Sequence, residues 1–68
     1  MDAGPLVLEF VGGPEDGATF DCDPLKFDFG TPIEIYRDHE VYRSLVNWNG
    51  VARYVKLYHR GRAKGVGQ

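Results

Sequence analysis

The amino-acid sequence predicts an all-β domain, a small five-stranded antiparallel sheet or a partly open barrel built from hairpins. Three observations carry that expectation. Apolar residues fall in short runs rich in β-branched and aromatic side chains, as in Leu6 to Val11 and Val51 to His59. Glycine and proline separate the runs at Gly4-Pro5, Gly12-Gly13-Pro14 and Gly30-Thr31-Pro32. No 3.6-residue apolar period extends far enough for a helix, beyond one turn at most over Asp38 to Ser44.

Leu6 to Val11 reads as the first strand, with Leu6, Leu8 and Phe10 on one face because strand side chains alternate. Gly12 to Gly17 is a turn: Pro14 presets its own φ, and the glycines permit positive φ. Ala18 to Cys22 is its return arm, ended by Asp23-Pro24. Leu25 to Phe29 alternates apolar and charged residues and suits either a short edge strand or an ordered loop. Ile33 to Arg37 is a strand with Ile33 and Ile35 inward. Asn49-Gly50 then joins two β-rich runs, Val41 to Trp48 and Val51 to His59, as expected of a type I′ hairpin. The expected core is Leu6, Leu8, Phe10, Phe20, Ile33, Ile35, Val46, Val51, Val55 and Leu57. Closing the sheet would remove its exposed edges.

With 68 residues the chain holds one domain, and a domain this small buries only about 60% of the surface its unfolded chain exposes. Residues 1–59 are expected to form it, with 60–68 as a flexible, basic, Gly-rich tail. A single cysteine, Cys22, excludes an internal disulfide and any multi-cysteine zinc site. No apolar run approaches the ~20 residues that cross a bilayer, and Met1-Asp2 is acidic where a secretory leader is basic. The expected setting is cytoplasmic, without a membrane partner.

The net charge of −2 conceals a segregation. Residues 1–34 carry eight acids against Lys26 alone, whereas residues 35–68 carry seven bases against Asp38 and Glu40. Two readings stand: the halves neutralise each other across paired strands, or the basic half presents a positive face to an anion.

The last run sharpens the second reading. Val51, Val55 and Leu57 point one way with Arg53, while Tyr54, Lys56, Tyr58 and Arg60 form an aromatic and basic stripe on the other face. With a two-residue Asn49-Gly50 loop, Arg43 lies opposite Lys56, a repulsive pair that an anion would neutralise. With a four-residue loop, Asn47 to Gly50, Arg43 lies opposite Tyr54 and the repulsion disappears. Cations between flat rings suit a phosphate-bearing ligand with a base to stack. Tyrosines beside solvated lysines and arginines are also ordinary on a half-exposed sheet. The candidate ligand residues are Arg43, Tyr54, Lys56, Tyr58 and Arg60, with no catalytic residue, metal ligand or cofactor.

Other motifs carry less. Gly12 to Gly17 lacks the Lys-Ser/Thr ending of a phosphate-binding loop, and Glu15 and Asp16 would repel phosphate. His39 and His59 show no nucleophile or metal spacing. Asp21 and Asp23 disfavour a Cys22 thiolate, and Asp21-x-Asp23 alone offers a divalent ion too few oxygens.

Gly12, Gly13, Pro14, Asp16 and Gly17, followed by a late Tyr-rich strand at Tyr54 to His59, resemble a Gly-Gly-Pro-x-Asp-Gly pattern. That pattern belongs to small orphan proteins of bacteria and their phages. The resemblance covers about a quarter of the chain; it implies a compact β domain in a mobile-element context and brings no catalytic residues. Together these readings give a non-enzymatic binding module for an anionic small molecule or nucleic acid: a nucleotide, a cyclic nucleotide, or the ligand of an anti-defence inhibitor or sponge. Duplex DNA fits an acidic domain poorly. The alternative is a structural or protein–protein module that self-associates, or meets a host protein, through a strand edge or aromatic patch.

Overall fold

The computed structural model describes residues 4–63. The chain is all-β: five strands form one sheet curled into a half-barrel. They are β1 (Leu6–Val11), β2 (Thr19–Cys22), β3 (Glu34–Arg37), β4 (Glu40–Arg43) and β5 (Tyr54–Arg62), with one 3-10 turn at Pro24–Lys26. The order across the sheet is β2-β1-β5-β4-β3. Two hairpins, β1–β2 and β3–β4, therefore flank β5, which runs antiparallel to β4 and parallel to β1. The sheet is mixed, and the all-antiparallel expectation fails at the β1–β5 pair. A parallel pair needs a long crossover, which the intervening β3–β4 hairpin supplies.

Three further expectations are corrected. The second hairpin turns at Asp38-His39, where φ is +50° and +70°; the expected Asn49-Gly50 hairpin is absent, and the stretch from Asp38 to Ser44, where the sequence allows one helical turn at most, holds β4. Asp and His are among the non-glycine residues that adopt this left-handed conformation most readily. Val41 to Trp48 is not one strand, because β4 stops at Arg43 and Ser44 redirects the chain. The buried Ser44 Oγ accepts from Ile33 N and donates to Val46 O at 3.1 and 2.7 Å. Asn49 instead folds its own neighbourhood, its Oδ1 accepting from the amides of Val51 and Ala52. Residues 44–53 thus form a long ordered connection, and both expected registers give way to Arg43 opposite Tyr58. Leu25 to Phe29 is the ordered-loop alternative, entered through the 3-10 turn. Finally, β5 continues through Arg62, so the expected tail boundary at 60 falls inside a strand. Residues 64–68 of that tail lie outside the described residues.

The concave face holds the core of Leu6, Leu8, Phe10, Ile33, Tyr42, Trp48 and Leu57. Phe20, Ile35 and Val55 pack against it half-buried. Val46 and Val51, expected inside, are 73% and 72% exposed, because the strands that would have turned them inward do not form. Tyr42 and Trp48 take their place. The Tyr42 ring meets Phe10 at 4.5 Å, and its hydroxyl accepts from Glu15 N at 2.9 Å. Trp48 meets Phe27 edge-on, and its indole N–H donates to Ala52 O at 3.0 Å. Each large ring is buried with its polar atom satisfied.

The outer end of the sheet is pinned by a buried carboxylate. A bulge between Val41 and Tyr42 leaves Arg60 unpaired on β5, so that Tyr42 faces His59 while Glu40 faces Arg62. His59 and Arg62 are thereby aimed at the same partner: His59 Nε2 and Arg62 Nη1 reach the two Glu40 carboxylate oxygens at 2.7 and 2.9 Å. The Gly12–Gly17 turn closes over this end. Gly12 N donates to Asp16 Oδ1, and Gly17 N to Phe10 O. Gly13, at φ +67°, leaves no room for a Cβ, which would fall 2.6 Å from His59 Cγ.

Candidate functional site

At the other end of β5 the sheet is incomplete. β4 runs beside β5 only from Arg43–Tyr58 onward. Below that point β4 has ended, and the 44–53 connection leaves the ladder while Trp48 turns back into the core. The space left is a groove of about 370 Å3, lined by Ser44, Val46, Trp48, Tyr54, Lys56 and Tyr58 among others. That volume lies within the ~300–1,000 Å3 usual for ligand sites. Three local devices hold the groove wall. Trp48 N donates to Thr31 O, Gly30 N donates to Trp48 O, and Arg53 Nη1 donates to Val51 O.

The predicted stripe faces outward: Tyr54, Lys56 and Arg60 are exposed and Tyr58 is half-buried, while Leu57 on the opposite face is fully buried. Tyr54, Lys56 and Tyr58 meet at the groove. Arg43 and Arg60 do not join them. Arg43 lies opposite Tyr58, away from Lys56, and its Nε stands 3.5 Å from Glu34 Oε2, an ion pair without hydrogen-bond geometry. Arg60 is the extra residue of the bulge, beyond the groove. The Arg43–Lys56 repulsion that a two-residue loop would bring is therefore absent.

Carboxylates of the first half answer part of the stripe. Tyr54 donates its hydroxyl to Glu9 Oε1 at 2.7 Å, a bond that raises the phenol above its ordinary pKa. Glu9 is also the residue beside Lys56 in the β1–β5 register. Lys56 and Arg60 make no ion pair among the described residues. The site thus holds one open cation on a strand face it shares with Tyr54 and Tyr58, against a wall that includes exposed Leu45 and Val46. Sequence reasoning missed Trp48 and the whole 44–53 wall. The available signal was Trp48 itself, the only tryptophan, beside an Asn whose side chain caps a turn.

The other candidates resolve as structure. In the Gly12–Gly17 turn the amides of Gly12, Glu15, Asp16 and Gly17 all donate within the chain, leaving no cradle for phosphate. His59 is occupied by Glu40, and His39 sits in the β3–β4 turn. Cys22 lines a shallow hollow of about 430 Å3 with Asp21 and Asp23; burial first, and then those carboxylates, push its thiol above the ordinary pKa. No cluster of three His, Cys, Asp or Glu suited to a metal occurs among the described residues. No helix among them is long and apolar enough to cross a membrane.

No protein-family model, curated protein or solved structure matches this chain.

Proposed function

We propose that the protein is a binding module, with no reaction of its own, that takes an anionic partner into the groove beside β5. The observation that carries this reading is the convergence of Tyr54, Lys56 and Tyr58 on one groove with the Lys56 ammonium unpaired. A groove with one open cation favours a single carboxylate or phosphate on a flat or apolar body. It suits nucleic acid less, because each phosphate contact there needs its own cation, and Arg43 is held by Glu34. The likeness of the Gly-Gly-Pro-x-Asp-Gly turn to small bacterial and phage proteins supports a mobile-element setting, in which a ligand sponge or inhibitor is one use.

Trp48 supplies the test, since it lines the groove and is the sole tryptophan. Wild-type protein and Lys56→Glu are titrated, following Trp48 emission, against nucleoside monophosphates, cyclic nucleotides, oligothymidine and acidic peptides. At least one of these is expected to bind the wild type and to lose tenfold or more in affinity with Lys56→Glu, while the melting temperature falls by no more than a few degrees from the new carboxylate beside Glu9. Equal titrations of both proteins across the panel overturn the reading.

A further inference from the structure

The backbone of β5 says what shape the partner has. Val7 N–H donates to Arg53 O at 2.9 Å, and Val7 pairs with Tyr54 in the parallel register. In a parallel ladder, alternate residues turn their N–H and C=O to the same neighbour. The odd-numbered residues of β5 therefore face β1, and the even-numbered ones face the β4 side. Tyr58 finds Arg43 there. Tyr54 and Lys56 face the groove instead, and their backbone N–H and C=O groups have no partner among the described residues. A central strand thus keeps an open edge along half its length.

We infer that the groove is a strand-addition site, which takes an extended acidic peptide from a partner protein and lays it against Tyr54 and Lys56 in line with β4. This rests on the reading of the groove as a binding site and names its partner class. An extended chain fits because two donors and two acceptors at strand spacing are matched by another strand, with side-chain pockets adding selectivity. A nucleotide leaves most of those four groups without a backbone partner. The acidic character follows from position: residues of the added strand opposite Tyr54 and Lys56 stand on the outer face, beside the open ammonium. Residues between them point toward Val55 and Trp48, where the lining is apolar. The matching sequence alternates acidic and β-branched residues.

The probe is acetyl-(Val-Glu)3-amide, titrated into the intact protein with Trp48 emission and amide hydrogen exchange as readouts. The amides of Tyr54 and Lys56 are expected to gain protection on binding. N-methylation at the glutamates, whose N–H groups face β5, is expected to weaken binding at least tenfold. N-methylation at the valines, whose N–H groups face away, costs less than threefold, and acetyl-(Val-Lys)3-amide does not bind. Binding that ignores the position of N-methylation, or leaves both amides unprotected, overturns the strand. Nucleotide binding without peptide binding keeps the groove and overturns the peptide; silence from every probe overturns both. Concentration-dependent protection of the two amides in the protein alone reassigns the slot to a second copy and overturns the inference.

Discussion

The two halves of β5 differ in what lies beside them, and the difference separates scaffold from proposed site. From Tyr58 to Arg62 the strand is paired on the β4 side, bulged at Arg60, and tied through His59 and Arg62 to the buried Glu40. From Tyr54 to Leu57 it is paired to β1 alone and faces a groove. Inward side chains anchor both halves, since Val55 and Leu57 reach the same core as the Tyr42 ring opposite His59. A strand held rigid at one end and along one edge presents the remaining edge in fixed geometry. Little ordering cost then falls on the protein when a partner arrives.

The sharpest way to break this contrast is to disturb the pinned half. Gly13→Ala places a Cβ 2.6 Å from His59 Cγ and 2.8 Å from the Tyr42 hydroxyl. Gly17→Ala, in the same turn at φ +87°, meets nothing within 4 Å. Both substitutions carry the left-handed backbone cost of about 1–2 kcal/mol. Only Gly13→Ala adds overpacking, about 1–3 kcal/mol more. A domain of this size has roughly 3–10 kcal/mol in total, so Gly13→Ala is expected to leave much of the population unfolded by circular dichroism at 37 °C. Gly17→Ala should melt cooperatively, about 5–15 °C below wild type. Equal melting of the two variants would show that the turn does not bear on His59 and Tyr42.

Glu40→Gln comes next. The amide keeps the shape and one hydrogen bond but removes the charge that answers both His59 and Arg62. Arg62 is 68% exposed and recovers water, so the loss is that of charge-assisted bonding, about 1–2 kcal/mol. Urea denaturation with an unchanged slope is the expected result. A lower slope would instead mean that the bulge end opens in the native state and that the pinned half is less fixed than its contacts imply.

What the sequence made legible follows the same division. β1, β2 and β3, the turn at Gly12–Gly17 and the outward stripe were readable, because each depends on local alternation or on residues that force a turn. Leu6, Leu8, Phe10 and Leu57 were placed in the core by that alternation alone. The errors cluster between Asp38 and Arg53. Asn49-Gly50 carries the stronger local hairpin signal, whereas the hairpin forms at Asp38-His39, two non-glycine residues at positive φ. Tertiary contacts settle the matter the other way: Ser44 Oγ is needed by Ile33 N, and Trp48 is drawn inward against Phe27. The parallel β1–β5 pair was equally hidden, since nothing local distinguishes a strand that meets a distant neighbour from one that meets its hairpin partner. Tyr54, Lys56 and Tyr58 come together at the groove because they share a strand face. Arg43 lies apart from them because its placement rested on a register that long-range packing replaces.

The smallest effects are expected in the open half, and there they discriminate best. Val46 and Val51 are almost equally exposed, at 73% and 72%, but only Val46 lines the groove. Serine at either position removes little buried apolar surface, so each change should stay within about 0.5 kcal/mol of wild-type stability. Their effects on binding should part company. A partner seated in the groove covers the Val46 side chain, and losing that contact is worth about 0.5–1 kcal/mol, or roughly a threefold weakening. Val51→Ser lies outside the lining and should leave affinity unchanged in the same titration. If the two substitutions weaken binding equally, the partner spreads over the whole 44–53 surface, and the open edge of β5 is not what selects it. If only Val46→Ser does so, the free edge and the wall facing it act as one site, and the outward face of this half serves the partner while its inward face, through Val55 and Leu57, serves the core.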